Sequence, residues 1–364
     1  MNRRIFAAAL GALTLFSATV TVVHAEDKPK VIRIGFPQAG TGGRPLPSGS
    51  YPATAELQGV IEEEFKADGI KIVWNHYVGA GPALNEAYAN GLIDFAFGHG
   101  DLPLIVGWST GLKRKVIMSS SRFGNSYFVV PASSSAKSLA DLKGKKLATF
   151  KGTAGQLTLY RWLEKFGFGD KDFRVISLNN DDTKAALATG DIDGTVVTPF
   201  DLEARGVAKH IHEINDDPDL SSPGSVWVGD EFEKKYPQIV QRVVNRLLKS
   251  AVWSSTEANR EKLFQYWAQA GSTPYIDYKK SWSNVTDLRT RVNPLLDEYY
   301  VASLTRSISE AKKFKLIRRD VNINDWLEPK YLNQALKEQG LEDYWPQYDA
   351  SGKVKVTARK LASK

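Results

Sequence analysis

The run Lys151-Gly152-Thr153-Ala154-Gly155 holds the residues with the clearest chemical potential in the chain. It lies between an apolar run, Lys146 to Phe150, and a stretch of helical spacing, Thr153 to Phe166, and so reads as a strand-to-helix turn. The first turn of a helix leaves N–H groups without intrahelical partners and carries a partial positive charge. Small residues there let an anionic group approach the backbone, and the Thr153 hydroxyl can donate a further hydrogen bond. Each such contribution is worth about 0.3–1 kcal/mol, up to ~2 kcal/mol when partly buried. The same residues also fit a plain helix cap with Gly152 as the turn, and spacing alone does not choose between the two.

Three other strand ends carry comparable groups. Gly98-His99-Gly100-Asp101 offers a histidine donor and a carboxylate that could accept from a ligand amine or cap the next helix. In Thr198-Pro199-Phe200-Asp201, Phe200 could cover an apolar tail and Asp201 select an amine, or the four could form a simple turn. Gln38 and Arg44 lie in a loop rich in glycine and proline, and Arg44 is a natural partner for sulfonate, sulfate or carboxylate. Trp282 and Arg291 fall in a helical region where packing is the simpler reading.

Other patterns point away from common chemistries. His210-x-His212 has no third metal ligand in reach, and Gly40 to Arg44 lacks the Gly-Lys-Ser/Thr ending of a phosphate loop. There is no cysteine, which excludes disulfides, thiolate–zinc sites, thiol catalysis and an N-terminal lipid-bearing cysteine. No cofactor is expected, nor is any arginine-rich or base-stacking element of a nucleic-acid binder apparent.

The elements that must position these groups alternate. Val31–Gly35, Ile70–Tyr77 and Ile93–Phe97 read as strands, separated by helices over 54–67 and 82–90. A second set follows, with strands at 127–131, 146–150, 173–178 and 192–198 and helices at 153–166 and 183–189. After Pro223 the pattern turns helical, through 237–253, 258–270, 294–313 and 329–339, and the basic tail near 353–364 is expected to fray. Strand–helix alternation predicts mostly parallel sheets flanked by helices, whose ligands sit beyond the carboxyl ends of the strands. Met1-Asn2-Arg3-Arg4, an apolar run to Val23 and a small-residue cut site at Ala25 read as a cleaved leader. Removing Arg3 and Arg4 takes the formal charge from +7 to 7 − 2 = +5, a mild field that could favour small anions.

Residues 138–153, SLADLKGKKLATFKGT, resemble the signature that opens the second lobe of type II periplasmic binding proteins. Residues 79–95, the Phe97–Pro103 loop, Ala188–Asp193 with Thr198-Pro199-Phe200, and Leu316-Ile317 with Val321-Asn322 are similar to the nitrate/sulfonate/taurine-binding branch of ABC-transporter receptors. The likeness spans roughly residues 31–345. It implies an α/β Venus-flytrap fold of two lobes with a helical C-terminal extension and no catalysis. The division it implies is a leader at 1–25, lobe I at 26–127 and 223–364, and lobe II at 128–222, with hinges near 125–131 and 221–228. It further implies a monomer in the periplasm, not inserted in the membrane, that passes an aliphatic sulfonate, sulfate ester, taurine or nitrate to an ABC permease. The binding residues expected are Gln38, Arg44, His99, Gly100, Asp101, Gly152, Thr153, Ala154, Thr198, Phe200 and Asp201. The first-strand loop departs from the usual Gly-Tyr-Gln, reading Gly35-Phe36-Pro37-Gln38, and His99 replaces a smaller residue. Alternatives are an enzyme on the same fold, a binder of a thiamin pyrimidine precursor, and a ligand-sensing subunit of a signalling system. The cysteine used by two enzymes of this fold is missing here.

Overall fold

The computed structural model describes residues 28–38 and 49–360; the expected leader and Arg44 lie outside the described residues. The chain begins with β1 (Val31–Phe36), α1 (Tyr51–Leu57), α2 (Val60–Phe65), β2 (Lys71–His76), α3 (Ala80–Ala89), β3 (Phe95–His99), α4 (Asp101–Ser109) and β4 (Arg114–Ser121). It continues with β5 (Asn125–Pro131), β6 (Lys146–Thr149), α5 (Ala154–Lys165), β7 (Arg174–Ser177), α6 (Asn180–Thr189), β8 (Gly194–Val196), α7 (Phe200–Ala204) and β9 (Ala208–Asn215). Then come β10 (Gly224–Gly229), α8 (Asp230–Lys235), α9 (Pro237–Ser254), α10 (Arg260–Ala270), α11 (Tyr275–Ser281), α12 (Glu298–Lys313) and α13 (Lys330–Glu338), and a short hairpin of β11 (Gln347–Tyr348) and β12 (Val354–Val356).

Two five-stranded sheets follow one plan. The first has the order β2-β1-β3-β10-β4 and the second β7-β6-β8-β5-β9. In each, three neighbouring strands are parallel and the fourth position is taken by an antiparallel strand, β10 or β5. That strand is the one that arrives from the other sheet. The crossings are 122–124 and 216–223, beside or overlapping the segments expected to be hinges, most of whose residues lie in β5 and β10. Strain gathers at the crossings: Phe123 (φ 56°) and Asp216 (φ 49°) are left-handed without being glycine. They are tied together where Gly124 N–H donates to the Asp216 carboxylate at 3.1 Å and Asp216 N–H to the Gly124 carbonyl at 3.1 Å.

Several expectations are corrected. The single helix over 54–67 is two short ones, broken at Gly59 (φ 62°), a left-handed conformation that a side chain would resist. Gly224–Gly229, expected to lead into helix, is a fully buried strand; a short apolar run bounded by glycine has no period of its own. The strands β4 and β9 and the helices α4, α7 and α11 lacked a clear pattern. The tail does not fray before residue 360: β12 pairs with β11, and Arg359 N–H donates to the Asp343 carbonyl at 2.8 Å. The stripe Ile239, Val240, Val243, Val244, Leu247 and Leu248 of α9 is buried as expected, against the first sheet. Each of those side chains contributes about 1.5–3 kcal/mol.

The halves are joined by a buried charge cluster. Arg161 of α5 is almost inaccessible and uses all its N–H donors. It donates to Glu310 (2.8 Å), Asp101 (3.0 Å), Ser307 (2.8 Å), Ser222 (2.7 Å) and the Ser221 carbonyl (3.1 Å). Burial opposes its charge, yet Asp101 and Glu310 outweigh that and raise its pKa. Replacing Arg161 by Met leaves Asp101 buried and unpaired, so urea denaturation is expected to show a loss of about 3–5 kcal/mol. The double replacement Arg161→Met with Asp101→Leu is expected to recover at least half of that loss, and equal losses in both variants would refute the pairing as the cause.

Candidate functional site

The carboxyl ends of both sheets face one another across a cleft of ≈ 420 Å³. On the first side it is bounded by Phe36 to Gln38 after β1, Ser50 before α1, Ala80 and Gly81 at the start of α3, and Phe97, Gly98 and Gly100 around the end of β3. On the other side stand Thr149, Phe150 and Thr153 to Gly155 between β6 and α5, Asn180 at the start of α6, and Thr195 to Val197 at the end of β8. Ser120, Ser121, Ser222 and Gly224 bound it next to the crossings. The halves touch here: a Cβ on Gly100 would stand 2.8 Å from that of Ala154, so Gly100 is needed for close approach.

No described residue of this wall is ionisable. What it presents is neutral donors. The N–H groups of Ala154 and Gly155 open α5 and have no acceptor among the described residues. Thr153 is extended (φ −108°, ψ 170°) and aims that helix start into the cleft, while Gly152, left-handed at φ 81°, makes the turn possible. The side chains of Gln38, Ser120 and Asn180, which line the cleft, likewise have no hydrogen bond among the described residues. Such a set suits a group with several acceptor oxygens and diffuse negative charge.

The expected residues divide. Gln38, Gly100, Thr153 and Ala154 line the cleft. Gly152 sits behind them as the turn, and Thr198 lines two side compartments. The Thr153 hydroxyl is not the expected donor to a ligand, because it donates to the Phe150 carbonyl at 2.6 Å. Asp101 is wholly buried: it accepts from Arg161 and Ser307 and from Leu102 N–H at 2.8 Å, so it is paired inside the protein, while the N-cap of α4 is Gly100. His99 lies under the wall with its Nδ1 accepting from Trp227 Nε1 at 2.9 Å. Phe200 packs edge-on against Tyr127 at 5.1 Å, and Asp201 pairs with Arg205 at 3.1 Å. These four sit next to the right turns, but tertiary packing turns their side chains away. Sequence reasoning missed Ser120, Ser121, Asn180 and Ser222; the serine run ending an apolar strand and the Asn pair before a helix were the available signals.

Two facing α/β halves with ligand-sized space between the strand ends define a two-lobed type II periplasmic binding protein fold. The chain matches the NMT1/THI5-like family over residues 65–255, just over half its length, and belongs to that family. It is 27% identical over 312 residues to a Bacillus subtilis (strain 168) protein named "Putative aliphatic sulfonates-binding protein", covering 85% of this chain and 89% of the other. The solved periplasmic sulfonate-binding protein SsuA of a putative sulfonate ABC transporter from Methylobacillus flagellatus KT is similar at TM-score 0.73 and 31% identity, covering 88% of this chain and 98% of that one. The desulfurization enzyme DSZB shares the fold at TM-score 0.63 and 16% identity, covering 85% and 100%.

Burial, and secondarily the nearby Arg114, hold the His99 pKa well below the ordinary value. The folded chain therefore keeps His99 neutral where the unfolded chain protonates it. Its share of stability is full above about pH 6.5 and is lost below that at ~1.4 kcal/mol per pH unit. His99→Asn keeps an acceptor near the Nδ1 position and removes the titration. Its melting temperature is expected to fall less steeply than the wild type's between pH 7 and pH 5, and parallel curves would show that His99 does not titrate with folding.

Proposed function

We propose that this protein is the periplasmic solute-binding component of an ABC importer that holds a small organic oxyanion, a sulfonate foremost, and delivers it to the permease. Sulfate esters, taurine and nitrate belong to the same ligand chemistry. The observation that carries this reading is the cleft wall of neutral donors headed by the Ala154 and Gly155 N–H groups, which have no acceptor among the described residues. The names of its relatives agree with it, and the proposed leader at 1–25 supplies the route to the periplasm. An enzymatic role on this fold has less support, since the chain has no cysteine and the described cleft wall offers no acid–base pair.

A ligand that binds only the folded chain stabilises it by about 2.7 kcal/mol at 100 times its Kd. Thermal-shift titration with ethane- to pentanesulfonate, a sulfate ester, nitrate and a hydroxymethylpyrimidine is expected to raise the melting temperature with a sulfonate. A response to the pyrimidine alone would sink the oxyanion reading. Ala154→Pro tests the carrier directly. Proline is tolerated at the first helical position and the extended Thr153 suits a following proline, so the change removes one donor while sparing the helix. Calorimetry is expected to show roughly a 10-fold or greater loss of sulfonate affinity, the size of one hydrogen bond to a charged group. Unchanged affinity would remove the α5 start from the site.

A further inference from the structure

Beside the main cleft, and sharing Ser50, Ser120 and Ser121 with it, opens a side compartment of ≈ 260 Å³. Its walls include Trp267, Tyr278, Trp282 and Asp277. A second compartment of ≈ 320 Å³ shares Gln38, Thr153 and Asn180 with the cleft and reaches Asp277 from the other direction. Asp277, on α11, thus stands where both extensions of the anion cleft meet.

Among the described residues the Asp277 carboxylate is only half satisfied. It is 1% exposed; its Oδ1 accepts from Asp201 N–H at 3.1 Å, and its Oδ2 has no hydrogen-bond partner among the described residues. It forms no ion pair within 4 Å among the described residues. The described cations around it are committed or stand off. Arg122 pairs with Asp297 at 2.8 Å, and Arg291 is held by Asp216 at 2.8 Å and by Asn125. Lys184 lines the second compartment without an ion pair among the described residues, and Lys280 lies 5.2 Å from the centre of the Phe200 ring. Burial raises the Asp277 pKa, as expected for a carboxylate lacking a counter-charge, while the backbone N–H groups of Asp201 and Phe200 and the charge of Lys184 oppose that. Leaving one oxygen of a buried carboxylate unpaired is costly, and a group in that state calls for a partner.

The surroundings fit one partner chemistry. Trp267 stands 5.6 Å from Tyr278 and 6.0 Å from Trp282 between ring centres, so three aromatic side chains share the compartment with the carboxylate. Aromatic faces attract cations, and a carboxylate beside them completes a receptor for an ammonium group. We infer that Asp277 is a specificity-determining residue that receives the protonated amine of a ligand whose oxyanion end lies at the start of α5. The ligand class is then a zwitterionic aminoalkanesulfonate in preference to a plain alkanesulfonate. This rests on the oxyanion reading of the main cleft. The competing role for Asp277, fastening α11 to α7 through Asp201, needs only the oxygen already bonded, which an asparagine also provides.

Calorimetry on the mature full chain separates these with matched pairs: 2-aminoethane-, 3-aminopropane- and 4-aminobutanesulfonate against ethane-, propane- and butanesulfonate. In the wild type the amine member of at least one pair is expected to bind roughly 10-fold tighter or more, the scale of a charge-assisted hydrogen bond. Asp277→Asn is expected to abolish that preference while leaving alkanesulfonate affinity within about 3-fold. Equal binding within every wild-type pair overturns the assignment without any variant, and so does an equal loss for both members in Asp277→Asn. Plain alkanesulfonate binding without an amine preference leaves the oxyanion reading standing and removes only the role of Asp277. Binding by neither series overturns both.

Discussion

Each sheet of this protein is completed by a strand that comes from the other half, β10 in the first and β5 in the second. That constraint governs everything else. An antiparallel strand inserted among parallel ones enters at the edge where its neighbours end, so the two crossings run between the carboxyl ends of both sheets. Those ends must therefore face each other. The helix starts that follow β1, β2, β3, β6 and β7 are thereby brought to a single cleft without any side chain having to span it.

The electrostatics follow from that arrangement. An open sheet places helix N-termini beyond its carboxyl edge, and two facing edges double the number of partial positive charges around the cleft. The wall needs no lysine or arginine to favour an anion, and none of the described lining residues supplies one. A full cation there would have to be desolvated in the empty state, whereas N–H and hydroxyl donors carry a much smaller burial cost. Among the described residues the buried charges lie outside the main cleft. Arg161 and Asp101 satisfy each other between α5 and α4, fixing the helix whose first turn is the best donor. Asp277, which lines both side compartments, is the contrasting case, a buried carboxylate with one oxygen unmatched among the described residues.

The alternation of strands and helices, the division into two sets and the broad stripe of α9 were all legible from periodicity, because those elements are amphipathic or uniformly apolar over enough residues to show it. The strands β4, β9 and β10 were not, since their runs are short, mixed with lysine, arginine, histidine or serine, or bounded by glycine. Among the candidate site residues, the small ones at helix starts stand at the cleft: Gly100, Thr153 and Ala154 contribute backbone or close approach there, and backbone placement follows from the turn itself. Side chains at the same turns were read poorly. His99, Asp101, Phe200 and Asp201 each had the right chemistry and an address within a residue or two of the cleft, and each found an internal partner instead.

The amino-acid sequence alone determined which segments end at glycine- and hydroxyl-rich turns, and hence that helix starts able to hold an anion would exist. It also determined that thiol chemistry is absent. Only the tertiary structure decided which way each polar side chain points, because that depends on partners far along the chain: Trp227 for His99, Arg161 for Asp101, and α7 for Asp277, 76 residues from its hydrogen-bond donor. Backbone donors are fixed by local geometry and can be read locally. A side chain goes to whichever partner packing delivers.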